Sequence, residues 1–211
     1  MTEFLANGPR TATAHLLLGH GAGAPMTSQF LEAFAADLAA AGVHVIRFEF
    51  AYMAARRTDG VKRPPPRIEH LAQEFRAIVA EMPRRRSQRL FIGGKSMGGR
   101  VASLIANELY TSGAVAGLVV VGYPFHPPRK ASALRTAHLL GMSCPALIVQ
   151  GTRDPLGSAA EVASYQLAPA IDLEWLADGD HDLMPRQTSG FTQAAHIASA
   201  ARAIARFMAR P

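Results

Sequence analysis

Short apolar runs punctuate the chain at residues 11–19, 43–50, 90–92, 115–123, 145–150 and 171–176. The run at 115–123 (VAGLVVVGY) is continuous, as in a strand covered on both faces. The run at 43–50 (VHVIRFEF) is rich in β-branched and aromatic residues, and 171–176 alternates as an edge strand does. Between these runs the apolar period changes to three or four. Phe30, Leu31, Phe34, Leu38 and Ala41 define one helix, with Thr27 or Ser28 as its cap and Gly42 as its stop. Ile68, Leu71, Phe75, Ile78, Val79 and Met82 define another, and further helices are predicted over 101–110, 131–141, 158–167 and 192–209. Residues 51–67 read as an irregular basic loop, stiffened at its end by Pro64, Pro65 and Pro66. Strands alternating with helices predict an α/β fold: about six mainly parallel strands with helices on both faces. No repeat, low-complexity stretch or linker interrupts the pattern, so residues 1–211 are expected to form a single domain.

The sharpest local signal is Gly94-Lys95-Ser96-Met97-Gly98 between a predicted strand and a predicted helix. G-x-S-x-G in that setting places a serine on a tight turn, with its hydroxyl clear of the sheet. Side chains two residues to either side would strike the neighbouring backbone, which accounts for Gly94 and Gly98. Met97 would offer its N–H from the first helical turn, where such groups are unpaired. Gly94-Lys95-Ser96 also matches the tail of a phosphate-binding loop, but position 89 is Arg where that loop needs glycine.

Two other strand ends carry polar residues that complete a reactive set. Asp154 follows the run at 145–150, and His181 follows the run at 171–176. A serine is a poor nucleophile until a base takes its proton, the role open to His181. An acid is then needed to hold the imidazole in the useful tautomer, the role open to Asp154. Asp178, Asp180 and Asp182 crowd His181 and could stand in for Asp154, although its place at a strand end favours Asp154. A tetrahedral oxyanion needs fixed donors, each worth roughly 3–4 kcal/mol. Met97 would supply one and Ala22, in the turn His20-Gly21-Ala22-Gly23, the other. The same turn reads as G-x-G-x-x-A with Glu49 as a ribose-binding acid, but that dinucleotide reading leaves Ser96, Asp154 and His181 unexplained.

Composition narrows the setting. With 49% apolar and 18% charged residues the chain reads as a globular protein, and no apolar run is long enough to span a bilayer. The first residues lack a basic start and an apolar stretch, and a single cysteine, Cys144, excludes an internal disulfide; a cytoplasmic location is expected. The net charge of +6 gathers in arginines between positions 56 and 89, among them Arg84, Arg85 and Arg86. No nucleic-acid motif accompanies them, so no nucleic-acid partner is expected. No Cys, His, Asp or Glu spacing suggests a metal.

On LLLGHGAGAP, RFEFAYMAARR (47–57), GGKSMGGR (93–100), QGTRDPLG (150–157) and GDHDLMPRQTSG (179–190), the chain resembles the small α/β-hydrolases of the dienelactone-hydrolase-like group. More narrowly, it resembles hydrolases that share a domain with testis-expressed protein 30 and with a hydrolase-like subunit of a chromatin acetyltransferase complex. The resemblance implies an α/β-hydrolase fold, a Ser96-His181-Asp154 triad, Ala22 and Met97 as oxyanion donors, and no cofactor. Dienelactone hydrolases use a cysteine nucleophile where this chain has Ser96, which makes serine-esterase or thioesterase chemistry the more natural expectation. Only about twenty residues separate Tyr123 from Cys144, too few for a cap domain. The expected substrate is a small acyl compound, an anionic one if Arg56 or Arg57 leans over the site. His20, Tyr52 and His126 are further candidates to line it. The competing expectation is a hydrolase scaffold used for protein interaction, with its triad a remnant.

Overall fold

The computed structural model describes residues 2–83 and 87–210. Arg84, Arg85 and Arg86, part of the arginine-rich window, lie outside the described residues. The strands are β1 (Phe4–Asn7), β2 (Ala14–Gly19), β3 (His44–Phe48), β4 (Arg89–Lys95), β5 (Gly117–Val121), β6 (Ala146–Gly151) and β7 (Ile171–Leu176). They form one seven-stranded sheet in the order β1-β3-β2-β4-β5-β6-β7. Every pairing is parallel except β1 with β3.

Alternation along the central strands divides the core into two layers. Leu17, Ile92, Leu118, Val120, Ala146 and Ile148 point to one face. Leu16, Leu18, Phe91, Val119, Val121, Leu147 and Val149 point to the other. Helices α1 (Gln29–Ala40) and α6 (Gln193–Ala209) cover the second layer through Leu31, Phe34, Leu38, Ile197, Ile204 and Phe207. Helices α2 (Ala51–Asp59), α3 (Ile68–Glu81) and α4 (Met97–Thr111) cover the first through Tyr52, Met53, Phe75, Ile78, Val101 and Ile105. A sheet buried on both faces explains why β5 and β6 read as continuous apolar runs.

The sequence expectation is corrected at four places. Among the described residues there are seven strands, not six: β1 is only four residues long and half-buried, so it leaves no run strong enough to read. Residues 51–59 are helical, not an irregular loop, and α2 ends where Gly60 turns left-handed at φ 72°. Residues 131–141 hold a single 3₁₀ turn, Ala137–Leu139. The helix expected over 158–167 is one turn, α5 (Ala159–Val162), opened by a reciprocal capping box between Ser158 and Glu161. The long connection between β5 and β6 thus carries no cap, and the carboxyl ends of the strands stay accessible.

Candidate active site

Ser96 sits between β4 and α4 at φ 53°, ψ −113°, a backbone conformation that a residue with a side chain rarely adopts. The turn is held by backbone bonds from Ser96 N–H to the Val121 carbonyl and from Arg100 N–H to the Ser96 carbonyl. It also depends on close backbone approach. A Cβ on Gly94 would lie 2.5 Å from the Gly98 carbonyl carbon, and one on Gly98 would lie 2.6 Å from the His20 carbonyl oxygen.

The side chains singled out at the ends of β6 and β7 meet Ser96. The Ser96 hydroxyl lies 2.8 Å from His181 Nε2, and His181 Nδ1 lies 2.8 Å from Asp154 Oδ2. Asp154 is wholly buried, and its other oxygen accepts the Leu156 N–H at 2.8 Å. The direction of the chain follows from the acid: a carboxylate only accepts, so Nδ1 carries the proton and Nε2 is free to accept from Ser96. The nearby aspartates are occupied elsewhere. Asp178 pairs with Arg153 and Arg186, Asp180 caps the N–H groups of Asp182 and Met184, and Asp182 pairs with Lys95.

Gln150, at the end of β6, was missed by sequence reasoning. Its amide donates to Asp154 Oδ2 at 2.8 Å and to the carbonyls of Tyr123 and Gly157, while its oxygen accepts the Tyr123 N–H. This buried bracket ties the acid to the end of β5. No sequence signal marks it, because a glutamine ending an apolar strand has no recognisable motif.

His20 and Tyr52 stand behind the Gly21–Gly23 turn and do not line the cavities at Ser96. His20 Nδ1 donates to the Gly21 carbonyl at 2.6 Å, and His20 Nε2 accepts the Phe50 N–H at 3.1 Å. Burial pushes the His20 pKa down to about 4, so the ring is neutral in that tautomer. Gly21 C=O and Ala22 N–H belong to one planar trans peptide, so anchoring the carbonyl on His20 turns the N–H the opposite way. The Tyr52 hydroxyl donates to the Ala22 carbonyl at 2.9 Å, and Arg56 donates to the Gly23 carbonyl at 3.2 Å. Burial raises the Tyr52 pKa to about 12, so it remains a donor at any ordinary pH. Met97 opens α4, where its N–H has no partner one turn back.

The arginine expectation is corrected. Arg56 braces the turn, and Arg57 pairs with Glu3 at 2.6 Å and approaches Glu49 at 3.6 Å, so neither guanidinium lines a cavity at the serine. His126 likewise turns to the Pro127 carbonyl and toward Glu161 of α5.

Two cavities meet at Ser96. The larger, about 740 Å³, is bounded by Ala22, Phe30, Lys95, His181 and Asp182. The smaller, about 370 Å³, is bounded by Ala22, Pro65, Pro66, Met97, Arg100 and Arg135. Among the described residues no cluster of Cys, His, Asp or Glu could hold a metal ion, and no helix is long and apolar enough to cross a membrane.

A family model described as an alpha/beta hydrolase domain matches residues 12–209. The chain belongs to the α/β-hydrolase family. Solved α/β-hydrolases superpose over nearly its full length at low identity. Dienelactone hydrolase from Anabaena variabilis aligns with a TM-score of 0.71 and 22% identity, covering 98% of this chain and 90% of that one. Est1E from Butyrivibrio proteoclasticus, solved with ferulic acid, aligns with a TM-score of 0.68 and 15% identity over 96% and 93%. A serine hydrolase without a lid from Xanthomonas campestris aligns at 0.69 and 13% over 100% and 91%. At these identities the likeness is one of fold.

Proposed function

We propose that this single-domain protein is a serine hydrolase that cleaves small carboxylic esters or thioesters through an acyl-enzyme on Ser96. The observation that carries the reading is the unbroken hydrogen-bonded series Ser96–His181–Asp154, with both links at 2.8 Å and the serine on a strained turn.

The chemistry follows from the geometry. His181 Nε2 takes the Ser96 proton as Oγ attacks the carbonyl carbon, and Asp154 stabilises the imidazolium that forms. The oxyanion is received by the N–H groups of Ala22 and Met97, the first aimed by His20 and the second by the start of α4. The leaving group must then take its proton from His181 Nε2. Its oxygen, or the sulfur of a thioester, therefore lies on the His181 side, in the larger cavity, and the acyl chain lies across Ser96 in the smaller one. Water activated by the same imidazole enters where the leaving group stood and releases the acid.

Intact-mass analysis after treatment with a fluorophosphonate tests this. One adduct is expected on the wild type and none on Ser96→Ala. Folded wild type without an adduct would overturn the proposal and turn attention to the fold as a protein-interaction scaffold.

A further inference from the structure

Apart from Ser96, the polar residues that border the smaller cavity are two arginines. Arg100 lies one turn beyond Ser96 on α4, its N–H bonded to the Ser96 carbonyl. Arg135 faces the same space from the β5–β6 connection, its backbone fixed by bonds to the Phe125 carbonyl and from the Tyr123 hydroxyl. Neither side chain makes a hydrogen bond or ion pair with another described residue, and Arg100 Nε is buried without an acceptor. Other arginines around the site have partners: Arg57, Arg63, Arg76, Arg153 and Arg186 pair with carboxylates, and Arg56 donates to the Gly23 carbonyl. Lys95, which borders the larger cavity, is matched by Asp182 at 3.1 Å.

Two like charges brought to one small cavity, with a buried donor unsatisfied and no carboxylate to balance them, are costly unless a ligand supplies the balance. The positive end of α4 adds to the same field. Burial and the neighbouring Arg100 charge both lower the Arg135 pKa, the direction expected where no counter-charge is present.

We propose that Arg100 and Arg135 bind a carboxylate at the far end of the substrate's acyl chain, so that the preferred substrates are half-esters or half-thioesters of short dicarboxylic acids. This rests on the reading of Ser96 as the nucleophile, and it gives the acyl side of the site its specificity. A neutral chain of equal length fills the apolar walls but leaves both guanidiniums unmatched. The terminal carboxylate meets the two forks together, the geometry that arginine suits best.

The test compares kcat/KM for 4-nitrophenyl hydrogen adipate and 4-nitrophenyl hexanoate, which share a six-carbon acyl chain. Wild type is expected to favour the adipate ester by about 10- to 100-fold, the range of a charge-assisted hydrogen bond. Arg100→Met and Arg135→Met should each bring the ratio close to one, and Arg135→Lys should restore part of it. Thermal melting shows which variants fold; should Arg100→Met not fold, Arg135→Met decides. A wild-type ratio near or below one, or a ratio unchanged in Arg135→Met, overturns the proposal. Calorimetric titration of Ser96→Ala with monomethyl adipate separates this question from catalysis. Binding lost on adding Arg135→Met supports the anion subsite even if the fluorophosphonate leaves Ser96 unlabelled, and absence of binding overturns it.

Discussion

His20 is wholly buried and uses both ring nitrogens, one donating to Gly21 and one accepting from Phe50. Protonating it would set a second N–H against the Phe50 N–H. Its pKa therefore falls from 6.5 to about 4, and the sign of the effect on stability follows. Between those values the unfolded chain holds a proton that the folded one refuses, so acid favours unfolding. The contribution is complete above pH 6.5 and is lost as the pH falls through about 4, a loss of roughly 3 kcal/mol at most. Urea titrations at pH 7.0 and pH 4.5 should show a smaller acid penalty in His20→Gln than in wild type. Equal penalties would mean that His20 is not held neutral. At this scale Ser96, Asp154 and His181 could be singled out from the sequence and are found hydrogen-bonded in series, because a serine between glycines after a strand and polar residues at strand ends are uncommon patterns. Gln150, Arg100 and Arg135 were not, because their significance lies in what they face. Arg56 and Arg57 were misread for the same reason, since a basic helix looks alike whether it points into a cavity or braces a turn.

Between residue and molecule, the β4–α4 unit depends on an approach of backbones that only glycine permits. The Gly98 position would place a methyl group 2.6 Å from the His20 carbonyl oxygen, whereas a methyl group at Gly23 would meet nothing within 4 Å. Gly98→Ala should lower the unfolding free energy by about 1–3 kcal/mol through overpacking, and Gly23→Ala should leave it unchanged. Thermal melting of the two variants checks this, and equal melting temperatures would refute it. The long central strands and the α1, α3, α4 and α6 helices could be read from periodicity because each buries a full face. Strand β1 could not, since it joins the sheet by backbone pairing with β3 and contributes little apolar surface. Helix α2 was obscured by the proline run that follows it.

Across the whole molecule, Cys144 reports on the first core layer. It is fully buried in the core cluster that also holds Ala146 and Leu139, and burial pushes its pKa up to about 12, so the thiol is both shielded and un-ionised. A chromogenic disulfide reagent should leave it untouched in native protein and modify one thiol in denaturant. Rapid native labelling would show that this face of the sheet opens independently of global unfolding. Part of the positive charge that stands out in the composition is paired in the fold: Arg57, Arg63 and Arg76 meet Glu3, Asp59 and Glu108. A linear sequence shows where charges are dense, but not which are already neutralised.

Strand β7 closes the sheet on one side, and among the described residues no strand pairs with its outer backbone groups. It carries Asp172 and Glu174 on one face, flanking Leu173. Two copies meeting antiparallel along this edge and centred on Leu173 would set each Asp172, with the Arg210 that it pairs with, opposite the other copy's Glu174, and would have to strip water from all of these charges. The carboxylates thus guard the exposed edge against fibre-like growth. The guard lies in their charge, so replacing both carboxylates with neutral side chains would remove it and leave Leu173 and Trp175 on a strand free to template aggregation.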